Sequence, residues 1–130
     1  MKVLLSRKID LAKKYSPIVR EKEYLSIFFG GDLGMKENEY QAKLIKKLKK
    51  RFPESYVIKE DASYIQGIPD LLVLYKDKWG TLEVKASAKA AHQPNQDYHV
   101  KRMNDMSFSS FICPETEKEV LDEMERSLKA

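Results

Sequence analysis

The chain has 130 residues, which is enough for one domain with a single hydrophobic core. Hydrophobic residues make up 42% and charged residues 34%, a balance that fits a globular protein and excludes collagen-like and mostly disordered classes. The net charge of +4 mildly favours polyanionic partners, although a basic surface that faces only solvent explains this charge equally well.

Cysteine and hydropathy patterns limit where the protein works. A single cysteine, Cys113, excludes an internal disulfide and a cysteine-rich zinc module, and its apolar surroundings predict a buried, inert thiol. No apolar stretch approaches the length of a membrane span, and the apolar run near the N-terminus, which follows Lys2, is too short for a signal peptide. We therefore expect a cytoplasmic protein with no membrane partner.

Residues 1–34 form the least regular part of the sequence. Two short helices are predicted there, separated near Pro17, and the glycines of Gly30–Gly34 predict a flexible link. These features divide the chain into a helical N-terminal arm, residues 1–34, and a core domain, residues 35–130.

The clearest helix is predicted over residues 36–52, where Pro53 ends it. Its apolar side is formed by residues three and four apart, namely Tyr40, Leu44, Ile45, Leu48 and Phe52. Its opposite side carries Lys43, Lys46 and Lys50, as a solvated face or as a track for phosphates.

Two glutamates near the start of this helix lie on different sides. Glu37 and Gln41 fall within the apolar side, whereas Glu39 lies almost opposite. A carboxylate that faces a sheet is costly to desolvate, which makes Glu37 a candidate functional residue. The alternative is an ordinary first-turn glutamate, favoured by the helix dipole.

The rest of the chain predicts a mixed sheet flanked by helices, an α/β (α+β) fold. The predicted elements are strands at 55–60, 70–76, 81–86 and 108–113 and helices at 96–106 and 115–128.

Individual elements carry further predictions. Tyr56 and Ile58 share one face of the first strand. The second strand is apolar on both faces, which predicts a central strand covered on both sides. Val100, Met103 and Met106 are the expected buried side of the helix over 96–106, and the turn between the second and third strands is expected at 77–80.

Two carboxylates and a lysine converge on the hairpin of this sheet. Asp70 opens the apolar second strand, and Glu83 and Lys85 lie two residues apart on the third, so their side chains point to one face. Mg²⁺ prefers hard oxygen ligands and needs only a few of them. Asp70, Glu83 and Glu37 would supply these, and the backbone carbonyl of Val84 could add another.

This residue set suits the hydrolysis of a phosphodiester. A bound metal ion polarises a phosphoryl oxygen and lowers the pKa of its water. Lys85 would orient that water and offset charge on the phosphate. Gln96, at the start of the next helix, could donate a hydrogen bond to Lys85 or the phosphate, or could be a plain surface residue. A buried ion pair between Asp70 and Lys85 is the structural alternative.

Several of these residues together resemble the PD-(D/E)XK nuclease superfamily and, within it, the VRR-NUC type. The matching residues are Gly67-Ile-Pro-Asp70, Glu83-Val-Lys85, Glu37-x-x-x-Gln41 and Gln96, and the likeness covers residues 36–113. It implies a restriction-endonuclease-like α-β-β-β-α-β core, DNA cleavage dependent on Mg²⁺ or Mn²⁺, and catalytic roles for Asp70, Glu83 and Lys85.

The resemblance has two departures. Some relatives place the first acid where Gln41 stands, so Glu37 would have to reach in from one turn earlier. The chain also lacks the Gln-x-x-x-Tyr of exonuclease-like relatives, because Val100 follows Gln96 by four residues. This difference argues against a processive exonuclease.

The expectation is therefore a metal-dependent endodeoxyribonuclease that is selective for Holliday junctions or other branched DNA. The resemblance to small phage enzymes implies a homodimer, in the cytoplasm of a bacterial host if the chain is phage-encoded. The arm of residues 1–34 could hold the dimer or DNA, or simply pack on the core. Two alternatives remain: a general or nicking DNA nuclease without structure selectivity, and a non-catalytic nucleic-acid-binding module.

Overall fold

The computed structural model describes the backbone of residues 32–130 and the side chains of residues 37–130. The chain divides into two compact units, Met1–Glu39 and Tyr40–Ala130. The two helices expected in the arm and the first glycines of the link lie outside the described residues. The arm and its role therefore stay predictions.

The described residues contain three helices and four strands. In chain order they are α1 (Asp32–Arg51), β1 (Tyr56–Lys59), β2 (Leu71–Tyr75), β3 (Lys78–Val84), α2 (Pro94–Met106), β4 (Phe108–Ile112) and α3 (Glu117–Leu128). The strands form one sheet in the order β1-β2-β3-β4, with two antiparallel pairings followed by the parallel pairing of β3 and β4. A parallel pairing needs a crossover, which α2 supplies. The predicted α+β fold with a mixed sheet is confirmed.

One face of the sheet, here called the core face, carries the hydrophobic core. Leu71 and Val73 of β2 and Leu82 and Val84 of β3 alternate onto this face and are fully buried. They cluster with apolar residues of α1 and α3, namely Leu44, Leu48, Phe52, Val120, Leu121, Met124 and Leu128. The apolar side predicted for α1 is confirmed, since Tyr40 and Ile45 also pack against this cluster.

The other face, here called the α2 face, is only partly covered. Met103 of α2 lies against it, with its sulfur 3.5 Å from the Thr81 hydroxyl of β3, and α2 also packs on β4. Over β1 and β2 the described residues leave this face open, because Leu72 is only half-buried and Leu74 is 38% exposed. The expectation that β2 is covered on both sides is wrong for this part of the chain.

Strand β1 shows the same asymmetry. Tyr56 and Ile58 share a face, as predicted, but it is the open one, where Tyr56 is 71% exposed. Their partners across the ladder are Leu74 and Leu72. Between them Val57 packs against the core. Hydrophobicity alone did not show which of the two faces would be buried.

All three helices begin at other residues than expected, α3 two residues later at Glu117, and the starts of α1 and α2 have identifiable causes. Helix α1 begins at Asp32, so Gly34 is helical and does not belong to a flexible link. One glycine costs about 1 kcal/mol relative to alanine, which a long helix with a buried face can tolerate. Helix α2 begins at Pro94, which was expected in the loop, because the fixed φ of proline suits the first helical position.

Two local expectations on side chains and turns are also corrected. The hairpin turn comprises Lys76 and Asp77, and Lys76 has a positive φ of 56°, so β3 already begins at Lys78. Met106 is 68% exposed, although its spacing from Val100 and Met103 placed it on the buried side. It is the last residue of α2, beyond the point where the helix packs on the sheet.

None of the helices in the described part of the chain is long and apolar enough to cross a membrane.

Charged groups join α1 to α3 beside the core. The Arg51 guanidinium lies 3.0 Å from the Asp122 carboxylate and 2.8 Å from that of Glu125. Hydrogen bonds from Lys118 and then from Arg51 lower the pKa of Asp122. The pKa of Glu125 is lowered chiefly by a hydrogen bond from Lys129, with a smaller contribution from Arg51.

These lowered pKa values predict a pH-dependent effect of Arg51→Gln. Carboxyls with a depressed folded pKa stabilise the fold above their unfolded pKa, about 4, and lose that contribution as pH falls through the folded pKa. The variant should therefore have a lower urea midpoint than the parent at pH 7, and the difference should shrink toward pH 3. Lys50→Gln, which removes a charge from an exposed neighbour, is the matched control and should show little effect. An equal loss at both pH values would mean that Arg51 acts through packing.

Candidate active site

Asp70 and Glu83 lie side by side at one end of the β2–β3 ladder. Leu71 pairs with Leu82 in the antiparallel register, and Asp70 directly precedes this last pair, at a bend. The Oδ2 atom of Asp70 accepts a hydrogen bond of 2.8 Å from the backbone amide of Val84. Because Val84 directly follows Glu83, this bond brings the two carboxylates to the same end of the ladder.

Glu83 and Lys85 are both buried on that face. Their side chains alternate with the core residues Leu82 and Val84, as predicted from the period of two. Glu83 is 3% exposed and Lys85 is 4% exposed. The Lys85 Nζ and Glu83 Oε1 atoms are 4.0 Å apart.

Gln96 bridges these two charges. Its Nε2 donates to Glu83 Oε1 at 2.8 Å, and its Oε1 accepts from Lys85 Nζ at 2.7 Å. The same Oε1 also accepts from the backbone amide of Gln93 at 3.0 Å, as a residue in the first helical turn does in a capping box. Gln96 therefore contacts Lys85, as one of its expected roles required, but it accepts that hydrogen bond and does not donate it, because an ammonium group can only donate. A hydrogen bond from Gln96 to a phosphate stays a prediction.

The loop between β3 and α2 supplies a further contact to Lys85. The Ala91 carbonyl accepts a hydrogen bond from Lys85 Nζ at 3.1 Å. Next to it, the His92 ring stacks on Phe111 of β4, with centroids 3.8 Å apart and planes at 10°. Its Nδ1 lies 3.0 Å from a carboxylate oxygen of Asp97. Sequence reasoning missed Ala91, because a backbone carbonyl in an alanine-rich loop leaves no side-chain signal.

Gly67 fixes the start of α2 against the site. It has a φ of +80°, and a Cβ at this position would collide with Asn95 Cβ and lie 2.8 Å from the Asn95 carbonyl carbon. It would also lie 3.1 Å from the Gln96 amide nitrogen. Only glycine allows both this conformation and this approach. The Gly-Ile-Pro-Asp segment therefore holds Gln96 close to Asp70 as well as supplying the carboxylate.

The other predicted site residues occupy separate positions. Glu37 and Gln41 are half-buried on α1, and Glu39 is exposed, as the helical spacing predicted. Glu37 belongs to the first compact unit and Gln41 to the second, and their roles as third acid and supporting residue stay predictions. Val84 contributes its amide to Asp70, and a role for its carbonyl as a metal ligand also stays a prediction.

The donor set brought together is a pair of carboxylates. Within the part of the chain that the structure describes, no group of three or more histidine, cysteine, aspartate or glutamate side chains is placed to hold a metal ion. Mg²⁺ is commonly bound by one or two carboxylates, with water and substrate phosphate completing its shell. Asp70 and Glu83 fit that pattern, since both are hard oxygen donors at one end of the ladder.

A cavity of about 290 Å³ adjoins the site on its β4 side. Its lining includes Lys85 and His92 of the site and its loop, the buried Cys113, and Glu119 and Glu123 of α3.

No family model, no curated protein and no solved structure matches this chain. The resemblance to PD-(D/E)XK nucleases accordingly rests on the motif residues alone. The function has to be argued from those residues and their geometry.

Proposed function

We propose that this chain is a metal-dependent endodeoxyribonuclease that hydrolyses phosphodiester bonds in branched DNA, such as Holliday junctions. Mg²⁺ is the proposed cofactor, and Mn²⁺ would substitute for it. The observation that carries the proposal is the buried group of Glu83 and Lys85, bridged by Gln96 and placed beside Asp70.

Stability alone does not account for this group. Removing a carboxylate and an ammonium from water costs several kcal/mol per ion, and an apolar pair of similar volume is often as stable or more so. Here Glu83 and Lys85 are both buried, and Gln96 is held between them. A site that needs a fixed carboxylate and a fixed cation in a dry setting explains the arrangement better than a structural ion pair does.

Each residue has a defined task in the proposed reaction. Asp70 and Glu83 would hold the metal ion, which when bound polarises a phosphoryl oxygen and acidifies a water molecule. Lys85 places its ammonium beside Glu83, where it can offset the negative charge on the phosphoryl oxygens. That charge grows as a water molecule that loses a proton to solvent attacks phosphorus, and as the P–O bond to the departing nucleotide breaks and its oxygen takes up a proton from solvent. Gln96 acts through Lys85 and Glu83 as a positioning residue.

The basic surface is the ground for proposing DNA as the substrate, and the resemblance to small phage enzymes is the ground for proposing a homodimer. The net charge is +4, and the lysines on the outer side of α1, including Lys43, Lys46 and Lys50, are exposed. A dimer with two-fold symmetry would present two sites to a symmetric four-way junction. A buried free thiol at Cys113 agrees with the reducing cytoplasm, that of a bacterial host if the chain is phage-encoded.

Asp70→Asn tests the metal and the chemistry together. The wild-type protein should cut a four-way junction in Mg²⁺ or Mn²⁺ and stop in EDTA. The variant should lose activity by about 10²–10³-fold or more while keeping its fold and most of its DNA binding. Mg²⁺ at 100 times Kd should add about 2.7 kcal/mol to the wild-type free energy of unfolding and so raise its melting temperature, and it should not raise that of the variant.

The matched control is Asp77→Asn, which removes an exposed carboxylate from the turn of the same hairpin and should leave cleavage unchanged. A panel of junction, flap, fork, duplex and single strand measures selectivity. Equal cleavage by Asp70→Asn and wild type would refute the role of Asp70 as a metal ligand in the proposed nuclease. Binding that persists in EDTA, with no cleavage of any substrate in either metal, would instead support a non-catalytic binding module.

Gln96→Met tests the bridge between the two buried charges. The side chain keeps its length but loses its hydrogen bonds to Lys85 and Glu83, so the free energy of unfolding should fall by about 1–3 kcal/mol in urea titrations. Cleavage should fall by about 10–100-fold even at a temperature where the variant is folded, as for other residues that orient a functional group. Gln66→Met, at an exposed loop glutamine, should change neither quantity. Normal cleavage by a destabilised Gln96→Met would limit Gln96 to a structural role.

A further inference from the structure

An exposed aromatic loop precedes the Gly-Ile-Pro-Asp segment. Tyr64 is 87% exposed, the largest value among the large hydrophobic side chains of the described residues, and its neighbour Ile65 is 39% exposed. Tyr64 lies three residues before Gly67, so their Cα atoms are at most about 11 Å apart. Gly67 in turn contacts the first turn of α2 beside the site.

The loop that carries Tyr64 is held in place by its own hydrogen bonds. The Asp61 carboxylate accepts from the Ser63 amide at 2.8 Å and from the Ser63 hydroxyl at 2.6 Å. The Tyr64 amide donates to the Asp61 carbonyl at 3.1 Å, and the Ile68 amide to the Ile65 carbonyl at 3.2 Å. A ring exposed on such a constrained turn is presented at little further cost in conformational entropy.

Helix α2 presents a second exposed ring and a cation on the side that meets this loop. Asn95, Tyr98 and Arg102 follow the i, i+3, i+7 spacing and so lie along one side of the helix, and Asn95 is the residue in contact with Gly67. Tyr98 is 58% exposed, and its ring contacts His99 edge-on at 5.2 Å. Arg102 is exposed, and within residues 37–130 it forms no salt bridge.

We propose that Tyr64, Ile65, Tyr98 and Arg102, here called the tyrosine surface, bind an unpaired nucleotide of the DNA substrate next to the cleaved phosphate. The inference rests on the proposed nuclease function and adds the substrate class: DNA with an unstacked base at a branch. Tyr64 and Tyr98 are the specificity-determining residues, and Arg102 neutralises a flanking phosphate.

The chemistry of the surface favours a base over other occupants. Aromatic rings bind the π-face of any base, and each stacked base strengthens binding by about fivefold to a hundredfold. A base inside a duplex offers no free face, because both sides are stacked on its neighbours. The tyrosine surface can therefore engage only a base that has left the stack, which occurs at a fork or a flap and not within the fully paired arms of a four-way junction.

The experiment uses the full-length Asp70→Asn protein, so that binding is measured without cleavage. The probe is a DNA fork with 2-aminopurine as the unpaired nucleotide at the branch, compared with a fully paired duplex. Binding should quench the 2-aminopurine fluorescence through stacking. Adding Tyr64→Ala or Tyr98→Ala should abolish the quench and weaken fork binding about tenfold while leaving duplex affinity unchanged. Tyr64→Phe, which keeps the ring, should behave like the parent.

Tyr56→Ala is the matched control. Tyr56 is also an exposed tyrosine of the α2 face, but it stands at the far end of β1 from Asp70, about 13 Å along the strand. An equal loss of fork binding in this variant would overturn the proposal, as would an unchanged quench in Tyr64→Ala. The substitution Tyr64→Ala in the protein that keeps Asp70 gives a further test. If this variant cleaves fork and duplex in the same ratio as the wild type, the tyrosine surface is refuted and the nuclease proposal stands. A quench that depends on Tyr64 in a wild-type protein that cleaves nothing would support the surface and refute the nuclease.

Discussion

The constraint on which the site depends is the burial of two opposite charges at the end of β3. Glu83 and Lys85 have to point to the α2 face, because Leu82 and Val84 fill the core on the other side of the same strand. Shifting the register by one residue would put both charges into the core and two aliphatic side chains onto the site. Packing of the core therefore determines that the side chains of Glu83 and Lys85 point to the α2 face. The Gln96 amide makes hydrogen bonds to both, which reduces the free-energy cost of burying their charges.

The position of α2 follows from the same constraint. Gln96 can bridge the pair only if the first turn of α2 lies close to the sheet, and the missing Cβ of Gly67 permits that approach. Pro94 at the first helical position and the hydrogen bond from the Gln93 amide to Gln96 set the start of the helix. Gly67, Pro94 and the Gln96 amide thus together set the position of the first turn of α2, although Gly67 and Pro94 are 27 positions apart in sequence.

Much of the fold could be predicted from the sequence because its elements are strongly periodic. The stripe of Leu44, Leu48 and Phe52, the alternation of β3 and the order of elements all follow from spacing. The open face of β1 and β2 in the described part of the chain could not be predicted, since apolar runs do not reveal that α2 packs chiefly on β3 and β4. The end of α2 at Met106 was predicted correctly, but the burial of Met106 was not, because spacing gives the side of a helix and not where its packing stops. In the site, Asp70, Glu83, Lys85 and Gln96 were identified, whereas the Ala91 carbonyl and the contact of Gly67 with α2 depend on long-range proximity.

The two faces of the sheet have different roles: the core face carries the hydrophobic core, and the α2 face carries the candidate site. On the core face, Arg51 and its two carboxylate partners join α1 to α3 beside the hydrophobic cluster. On the α2 face, α2 packs on β3 and β4, and within the described residues Leu74 and Tyr56 of the neighbouring strands stay exposed. The segment that contains Tyr64 and Gly67 meets the Asn95 side of α2 at the start of that helix. In the proposed enzyme, chemistry and substrate choice would then reside in different elements: the strands hold the reacting groups, and the loop and the outer side of α2 select the DNA. Substitutions at Tyr64 or Tyr98 could change which DNA is bound without disturbing the buried charges, because these rings lie outside the hydrogen-bond network that holds Lys85 in place.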